Sequence, residues 1–286
     1  MRRDHVARRD QGASRDQGTR RGPVARRDFA AQYGPWALVT GASSGIGREF
    51  ARRLAERKLN VALVARRAER LEALAAALTA DYGVAARPIA VDLCRDDSLD
   101  VILAATDGLS IGLLVNSAGF SLTGPFLDAD PADLTRMLHL NCRAPLQLTR
   151  AFGPAMRQRR RGGIIMLSSV VAFVGTPLWS AYSATKGFDL LLGEALAAEL
   201  RADGVHVLTL APGTTRTEFL DVAGLDDFMS LSPERVVADA LAHLGRSDLV
   251  VPGWFYRGGT LAMRFLPRAV NRAVFGRLLA AMRAGE

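Results

Sequence analysis

Trp36-Ala37-Leu38-Val39-Thr40-Gly41-Ala42-Ser43-Ser44-Gly45-Ile46-Gly47 is the stretch whose reading decides the fold. Trp36 to Thr40 is a short apolar run of the kind that forms a strand buried on both faces. Glycines at 41, 45 and 47 follow at once, and a helical pattern continues from them to about Lys58. A strand that passes through a glycine turn into a helix is the opening of a β-α-β unit, and it is where open α/β sheets bind nucleotides. Glycine lets the backbone turn sharply and approach a pyrophosphate, and the helix start offers free N–H groups and a positive dipole end. The spacing departs from G-x-G-x-x-G, so the turn needs support from elsewhere in the chain.

Outward from it the pattern repeats. Asn60 to Ala65, Arg87 to Leu93, Ile111 to Ser117, Gly163 to Ser168, Val205 to Leu210 and Asp248 to Pro252 read as further strands. Helical stretches separate them at Ala68 to Tyr82, Asp96 to Thr106, Asp130 to Arg160, Trp179 to Arg201 and Pro233 to Leu244. Continuous apolar strands alternating with helices indicate a parallel sheet covered on both faces. The expectation is an α/β fold over residues 29–253: a doubly wound, Rossmann-type, seven-stranded parallel sheet in one domain. A chain of 286 residues, about half of them apolar, can bury a core of that size.

Residues 1–28 are different. They repeat Arg-Arg-Asp and Arg-Asp-Gln-Gly with almost no large apolar side chains, so a disordered basic arm is expected. The formal charge is 37−29 = +8, but nine Arg and four Asp put +5 of it in this arm. The body carries about +3, a weak basis for nucleic-acid binding by the folded part. Two cysteines, Cys94 and Cys142, make no disulfide framework and fit a reducing compartment. His5, His139, His206 and His243 are scattered without metal-ligand spacing, so no metal is expected. With no long apolar run and no hydrophobic leader in the arm, the cytoplasm is the default location.

The second informative stretch is Tyr182-Ser183-Ala184-Thr185-Lys186. On a helix, a spacing of four puts phenol and ammonium one turn apart on one face. A phenol has a pKa of about 10, too high for a base near neutral pH, and a neighbouring cation lowers it. Taken alone, the pair reads first as a surface Tyr and Lys at helical spacing.

Together, the two stretches resemble the signature of the short-chain dehydrogenase/reductase family, TGxxxGxG near the start and YxxxK past the middle. Asn116-Ser117-Ala118-Gly119 is similar to the family's NNAG segment with one change, Ser for the second Asn. Asn141 stands at the family's helix position, and Pro212-Gly213 follows the sixth strand, as in the family. The resemblance runs from about Trp36 to about Phe219.

It implies a catalytic set of Asn141, Ser169, Tyr182 and Lys186. Tyr182 would be the acid for reduction or the base for oxidation, and Lys186 would lower its pKa and hold the nicotinamide ribose. Ser169, thirteen before Tyr182, would hydrogen-bond the substrate carbonyl, with Ser168 its structural neighbour. Asn141 would anchor a water linking Lys186 to solvent, or be an ordinary buried Asn. The cofactor site it implies comprises Gly41, Ser43, Ser44, Gly45, Ile46, Gly47, Arg66, Asp92, Asn116, Ala118, Gly119, Tyr182, Lys186, Pro212, Gly213 and Thr215. Asp92 would contact adenine; a helix N-cap is its other role.

NADP(H) is the expected cofactor. In NAD-specific proteins of this architecture an acid about 20 residues past the first glycine takes the ribose 2′-OH. Asn60 to Arg67 contains none, and Arg66 can pair with a 2′-phosphate instead. Arg67 or Arg48 would assist, each equally a solvated helix charge.

Phe120, Phe173, Val174, Trp179, Thr214, Thr215 and Phe219 are expected near the substrate. They suggest a small lipophilic ketone, aldehyde or alcohol, or are simply core. The loop from Thr214 to Ser232 is where a lid would vary. Residues 254–286 form a basic amphipathic extension, with Val270, Val274, Leu278 and Met282 on one helical stripe and Arg268, Arg272 and Arg283 off it. It would pack on the domain as a lid over the substrate pocket, or on a subunit of a homodimer or homotetramer. Peripheral membrane contact is a second reading, and nucleic-acid contact the weakest. The competing function is an NADP-binding sensor or scaffold without catalysis.

Overall fold

In the computed structural model, residues 26–219 and 230–283 are described. Seven parallel strands lie in the order β3-β2-β1-β4-β5-β6-β7. They are β1 Trp36–Thr40, β2 Asn60–Ala65, β3 Ala86–Ala90, β4 Ile111–Asn116, β5 Gly162–Leu167, β6 Val205–Leu210 and β7 Leu249–Val250. The order reverses between β1 and β4, which pair through Leu38 with Leu114 and Val39 with Val115. A crevice therefore opens at the carboxyl ends of these two strands, where such sheets bind ligands.

Successive strand side chains point to opposite faces, and the core divides accordingly. Ala37, Val39, Val61, Leu63, Leu113 and Val115 pack with Phe50 and Leu54 of α2 (Gly45–Glu56), Leu71 and Leu78 of α3 (Ala68–Tyr82) and Val236 of a helix at Pro233–His243. Leu38, Ala62, Val64, Leu114 and Ile164 pack on the other face, against Ile102 of α4 (Ser98–Ala105) and Leu148 and Met156 of a helix at Ala144–Gln158. The expected doubly wound α/β fold is the observed one.

One element was not expected. Arg26–Tyr33 is a helix, α1, although its first residues carry the Arg-Arg-Asp pattern of the arm. Phe29 and Tyr33 are buried at the foot of the sheet, and the Tyr33 hydroxyl lies 2.7 Å from His206 Nδ1. Gly112 and Gly163 make the room: a Cβ at 163 would stand 2.9 Å from the Tyr33 ring and one at 112 only 2.4 Å from its carbonyl oxygen. Burial pushes the Tyr33 phenol well up. Residues 1–25, with most of the expected arm, lie outside the described residues.

Two other departures bear on the site. The long helical stretch 130–160 is α5 (Pro131–Leu138), a π turn at His139–Arg143, and α6 (Ala144–Gln158). Pro145 has no N–H to give the Asn141 carbonyl four residues earlier, so the helix passes Asn141 without its ordinary bond. The strand after α3 ends at Ala90, leaving Val91 to Leu93 in the following loop. Tyr182 to Lys186 lie on α7 (Ser180–Leu200), and α8 (Pro233–His243) precedes β7. The extension forms two helices, α9 (Trp254–Met263) and α10 (Arg268–Arg283). Of the expected lid loop, residues 220–229 lie outside the described residues.

Candidate active site

Thr40 ends β1, and its hydroxyl ties the first turn to the fourth strand. Oγ1 donates to the Val115 carbonyl at 3.3 Å and accepts from the N–H groups of Ser117 and Ala118 at 2.9 and 3.0 Å. The turn then fits only glycine at two places. Gly41 has φ +68° with the Ala118 backbone 3.0 Å from where a Cβ would stand, and a Cβ at Gly47 would meet the Gly41 carbonyl oxygen at 2.4 Å. Ser44 begins α2 with no side-chain cap, which leaves the first N–H groups free to meet an anion. This cradle suits a pyrophosphate.

The turn forms one end of a cavity of about 820 Å³, lined also by Arg66, Asp92, Gly119, Ser169, Tyr182, Lys186 and Pro212. Arg66 lies exposed at the rim, its charge felt by the Cys94 thiol. Arg67 turns inward instead, giving Nε and Nη2 to Ser43 Oγ at 3.1 and 2.9 Å and Nη1 to Glu218 at 2.7 Å. Glu218 also takes Arg70 at 2.6 Å. Hydrogen bonds from Arg67 and Arg70 hold its carboxyl below the ordinary range. An acid thus does stand near this end of the site, from 151 residues away in sequence, already satisfied by two guanidinium groups. Arg48 is on the exposed face of α2, outside the cavity.

Asp92 is not a helix cap. It accepts the Cys94 N–H at 3.0 Å, and α4 starts later with Asp97 as its cap residue. Asn116, unlike Asp92, does not reach the cavity. It is buried, gives Nδ2 to Thr149 Oγ1 and Met166 Sδ at 3.2 Å, and points toward the α6 face because strand alternation sends it there. Asn116 is therefore a tie between β4, β5 and α6. Ala118 and Gly119 do line the cavity.

At the other end, α7 presents Tyr182 and Lys186 on its buried face. The Tyr182 ring packs on Trp179 at 5.3 Å and on Phe219 at 5.7 Å. Burial pushes its phenol up; Lys186 pulls it down, Asp189 pushes it up and a hydrogen bond with Ser169 pulls it down, and the net is upward. The expected lowering by Lys186 is present but does not win, because a buried phenolate loses its hydration. Lys186 Nζ donates to the Leu167 carbonyl at 2.7 Å and to Asp189 Oδ2 at 2.9 Å. Burial works against its charge, but Asp189 and Tyr182 outweigh it and hold the ammonium above its ordinary range.

Asn141, in the π turn, spends its whole amide on protein. Oδ1 accepts the Phe120 N–H at 3.1 Å, and Nδ2 donates to the Phe120 carbonyl at 2.9 Å and to Thr185 Oγ1 at 3.0 Å. It sets the spacing between the 117–120 loop and α7. Ser168 gives its hydroxyl to the Lys186 carbonyl at 2.7 Å, while Ser169 faces the cavity, its Oγ 3.4 Å from the Pro212 carbonyl.

Of the side chains expected near the substrate, Phe120, Trp179, Thr214, Thr215 and Phe219 line the cavity; Phe173 and Val174 do not, and Val170 and Val171 take their place. After the 3-10 turn at Val170–Phe173, Phe173 packs against the cluster that holds Val170 and Val171, and Val174 is buried. The far wall comes from the extension, which the sequence suggested as a pocket lid without naming its residues: Phe255, Tyr256 and Met263 of α9, Leu266 just after it and Phe275 of α10 line the cavity there. Tyr256 anchors that wall: its ring lies on Gly213, where a Cβ would come within 2.1 Å, and its hydroxyl is 2.6 Å from Thr214 Oγ1. Sequence reading missed Thr217. Its methyl stands 2.9 Å from the Cβ position of Gly45, at the mouth of the glycine turn.

The model of the short chain dehydrogenase family matches residues 35–226. A very-long-chain 3-oxoacyl-CoA reductase of Anas platyrhynchos is 36% identical over 217 residues, 74% of this chain and 69% of that protein. The 17-beta-hydroxysteroid dehydrogenase type 3 of Homo sapiens is 33% identical over 253 residues, 82% of this chain and 81% of that one. Among solved structures, a short-chain dehydrogenase from Sphingobium yanoikuyae in complex with NADPH superposes with a TM-score of 0.73 at 34% identity, over 81% of this chain and 93% of that chain.

Proposed function

The chain belongs to the short-chain dehydrogenase family and is an NADP(H)-linked oxidoreductase of the C=O/CH–OH pair; from that premise we propose that it reduces the carbonyl of a lipophilic ketone or aldehyde with Tyr182 as proton donor. In the reverse direction Tyr182 accepts the proton of the alcohol. The observation that carries the proposal is convergence: Ser169, Tyr182 and Lys186 meet in an otherwise largely apolar cavity whose far end is the glycine turn. NADPH supplies the hydride when bound. Ser169 donates a hydrogen bond to the carbonyl oxygen, Tyr182 gives that oxygen a proton as negative charge develops on it, and Lys186 stabilises the phenolate left behind.

Two relatives are named for 3-oxoacyl-CoA and 17-beta-hydroxysteroid chemistry, in which the reacting carbon sits on a bulky apolar frame. The α9 and α10 wall suits that class, with Phe255, Met263, Leu266 and Phe275 offering apolar area and no charge. The test is NADPH oxidation against a panel of 3-oxoacyl thioesters, ketosteroids and hydrophobic aldehydes. Turnover of at least one class is expected. Tight NADPH binding with no turnover across the panel would favour the sensor or scaffold in its place.

Arg66 is the side chain we assign to the 2′-phosphate, because Arg67 is already engaged by Ser43 and Glu218. A charge-assisted hydrogen bond contributes about 1.5–3 kcal/mol, so Arg66→Ala is expected to raise KM for NADPH roughly ten-fold or more and leave that for NADH nearly unchanged. Equal loss with both cofactors would remove Arg66 from this role.

We also place the protein at an anionic bilayer surface. From Leu249 to Gly285 there are six arginines and no Asp or Glu, while Trp254 and Phe265 are 86% and 82% exposed. Phe255, Leu266, Val274 and Leu278 line the cavity and are also about half exposed, so apolar surface runs from the cavity out to this basic face. Arginines beside exposed aromatic rings suit anionic headgroups and the acyl boundary. Among the described residues no helix is long and apolar enough to cross a membrane. Co-sedimentation with anionic vesicles is expected, reduced several-fold by Trp254→Ser with Phe265→Ser. If those substitutions instead convert a dimer to a monomer and leave vesicle binding unaltered, a second copy covers this face.

A further inference from the structure

Lys186 is one of only two lysines among 37 basic side chains, and it is buried beside an acid that has no part in the chemistry above. Asp189 lies three residues further along α7 and is 3% exposed. Its Oδ2 takes the ammonium at 2.9 Å, and its Oδ1 has no hydrogen-bond partner among the described residues. A buried carboxylate with one bare oxygen is costly, and rule-breaking of that kind concentrates where function demands it. The ammonium gives a second N–H to the Leu167 carbonyl at the end of β5. One N–H remains. The bare side of Gly119, whose Cβ would stand 3.6 Å from Nζ, opens the ammonium toward the cavity.

The geometry points to Asp189 as a positioning residue that pins Lys186 between β5 and α7 and competes with the Tyr182 phenolate for the one ammonium. This rests on the assignment of Tyr182 as the proton-transfer group. A lone ammonium in a low-dielectric site would favour the phenolate strongly. An ammonium already paired at 2.9 Å acts on the phenol almost as a dipole, and much of that pull is cancelled. The carboxylate offsets part of the cost of burying the ammonium, which the Leu167 carbonyl and Tyr182 also support.

The directions agree: after burial, the largest cause, Lys186 and Asp189 act on the Tyr182 phenol with opposite sign. From the π turn, Cys142 also faces the pair, but its thiol, pushed up to about 11 chiefly by burial, is neutral in the working range. Ser169 from the end of β5 adds a neutral hydroxyl, and Asn141 and Thr185 nearby carry no charge. A neutral phenol is the form that gives a proton to a carbonyl. Asp189 therefore widens the pH range in which Tyr182 can act as an acid and delays to higher pH the phenolate that oxidation needs.

Asp189→Asn deletes the charge and keeps the shape and an acceptor for Lys186. Tyr182 is titrated by ultraviolet difference absorbance, its share of the four tyrosines identified by Tyr182→Phe in each background. The pH dependence of kcat for alcohol oxidation is measured in parallel. Tyr182 is expected to titrate about one unit or more lower in Asp189→Asn, and the rise of oxidation with pH to move down by the same amount. A titration that stays in place or moves up overturns the proposal, whatever happens to the rate. If Asp189→Asn does not fold, Asp189→Ser carries the same comparison. The absorbance arm needs no turnover, so failure to find a substrate would count against the activity alone.

Discussion

Tyr182→Phe is expected to lower kcat for carbonyl reduction about 10³-fold, the middle of the range by which a positioned proton donor speeds such a step. The substitution removes one hydroxyl and keeps the ring, so its packing on Trp179 and Phe219 survives and the fold with it. An interaction that strengthens only as charge develops on the carbonyl oxygen should appear in kcat and kcat/KM together, with NADPH affinity changed by less than about two-fold. Steady-state rates with the best substrate of the panel, and NADPH fluorescence titration, check both halves. If the variant keeps more than about a tenth of the rate, Tyr182 is not the proton donor.

Lys186→Met should inactivate the protein and also destabilise it by about 3–5 kcal/mol, because it leaves Asp189 buried without its partner. Adding Asp189→Leu should recover most of that stability and none of the activity, since an apolar pair can replace a buried ion pair while proton chemistry cannot proceed without the ammonium. The loss in the single variant should depend on pH. Burial, against the pull of Lys186, already holds Asp189 above the usual carboxylate range, and without the lysine its folded pKa rises further above the unfolded value. The folded state then binds the proton more tightly, so stability is greatest in acid and falls as pH rises through the folded pKa. Denaturant melts at about pH 5 and pH 8 read the difference. Equal stability of Lys186→Met and the parent across that range would mean that the pair is not closed in solution.

The strands, the helices and the shared face of Tyr182 and Lys186 were legible because each is a local regularity. Val39 and Leu38 go to opposite cores by the period of a strand, and Tyr182 and Lys186 share a face by the pitch of a helix. The glycines at 41 and 47 were legible because backbone contacts within a few residues exclude a Cβ. Missed elements depend on contacts distant in sequence. The α1 helix looks like more of the basic arm until Gly112 and Gly163 make a place for Tyr33. Nothing near Asn60 to Arg67 reveals that Glu218 will cross 151 residues to Arg67, and a tail that reads as a pocket lid does not reveal that Tyr256 will lie on Gly213.

Sequence alone determined the alternation of the sheet, the glycine turn and the placing of Tyr182 and Lys186 on one helical face, since these follow from backbone geometry and side-chain spacing over short distances; the proton-transfer role proposed for the pair came from the resemblance to the family. Only the tertiary structure decided how that pair is charged and what encloses the substrate. The state of Tyr182 depends on burial, and burial depends on which surfaces meet: β5 brings the Leu167 carbonyl to Lys186, and the packing of α7 seals Asp189 beside it. A phenol and an ammonium one helical turn apart form the same pattern in water and in the core. The energy of the phenolate differs between them because the protein interior withholds the hydration that water would give.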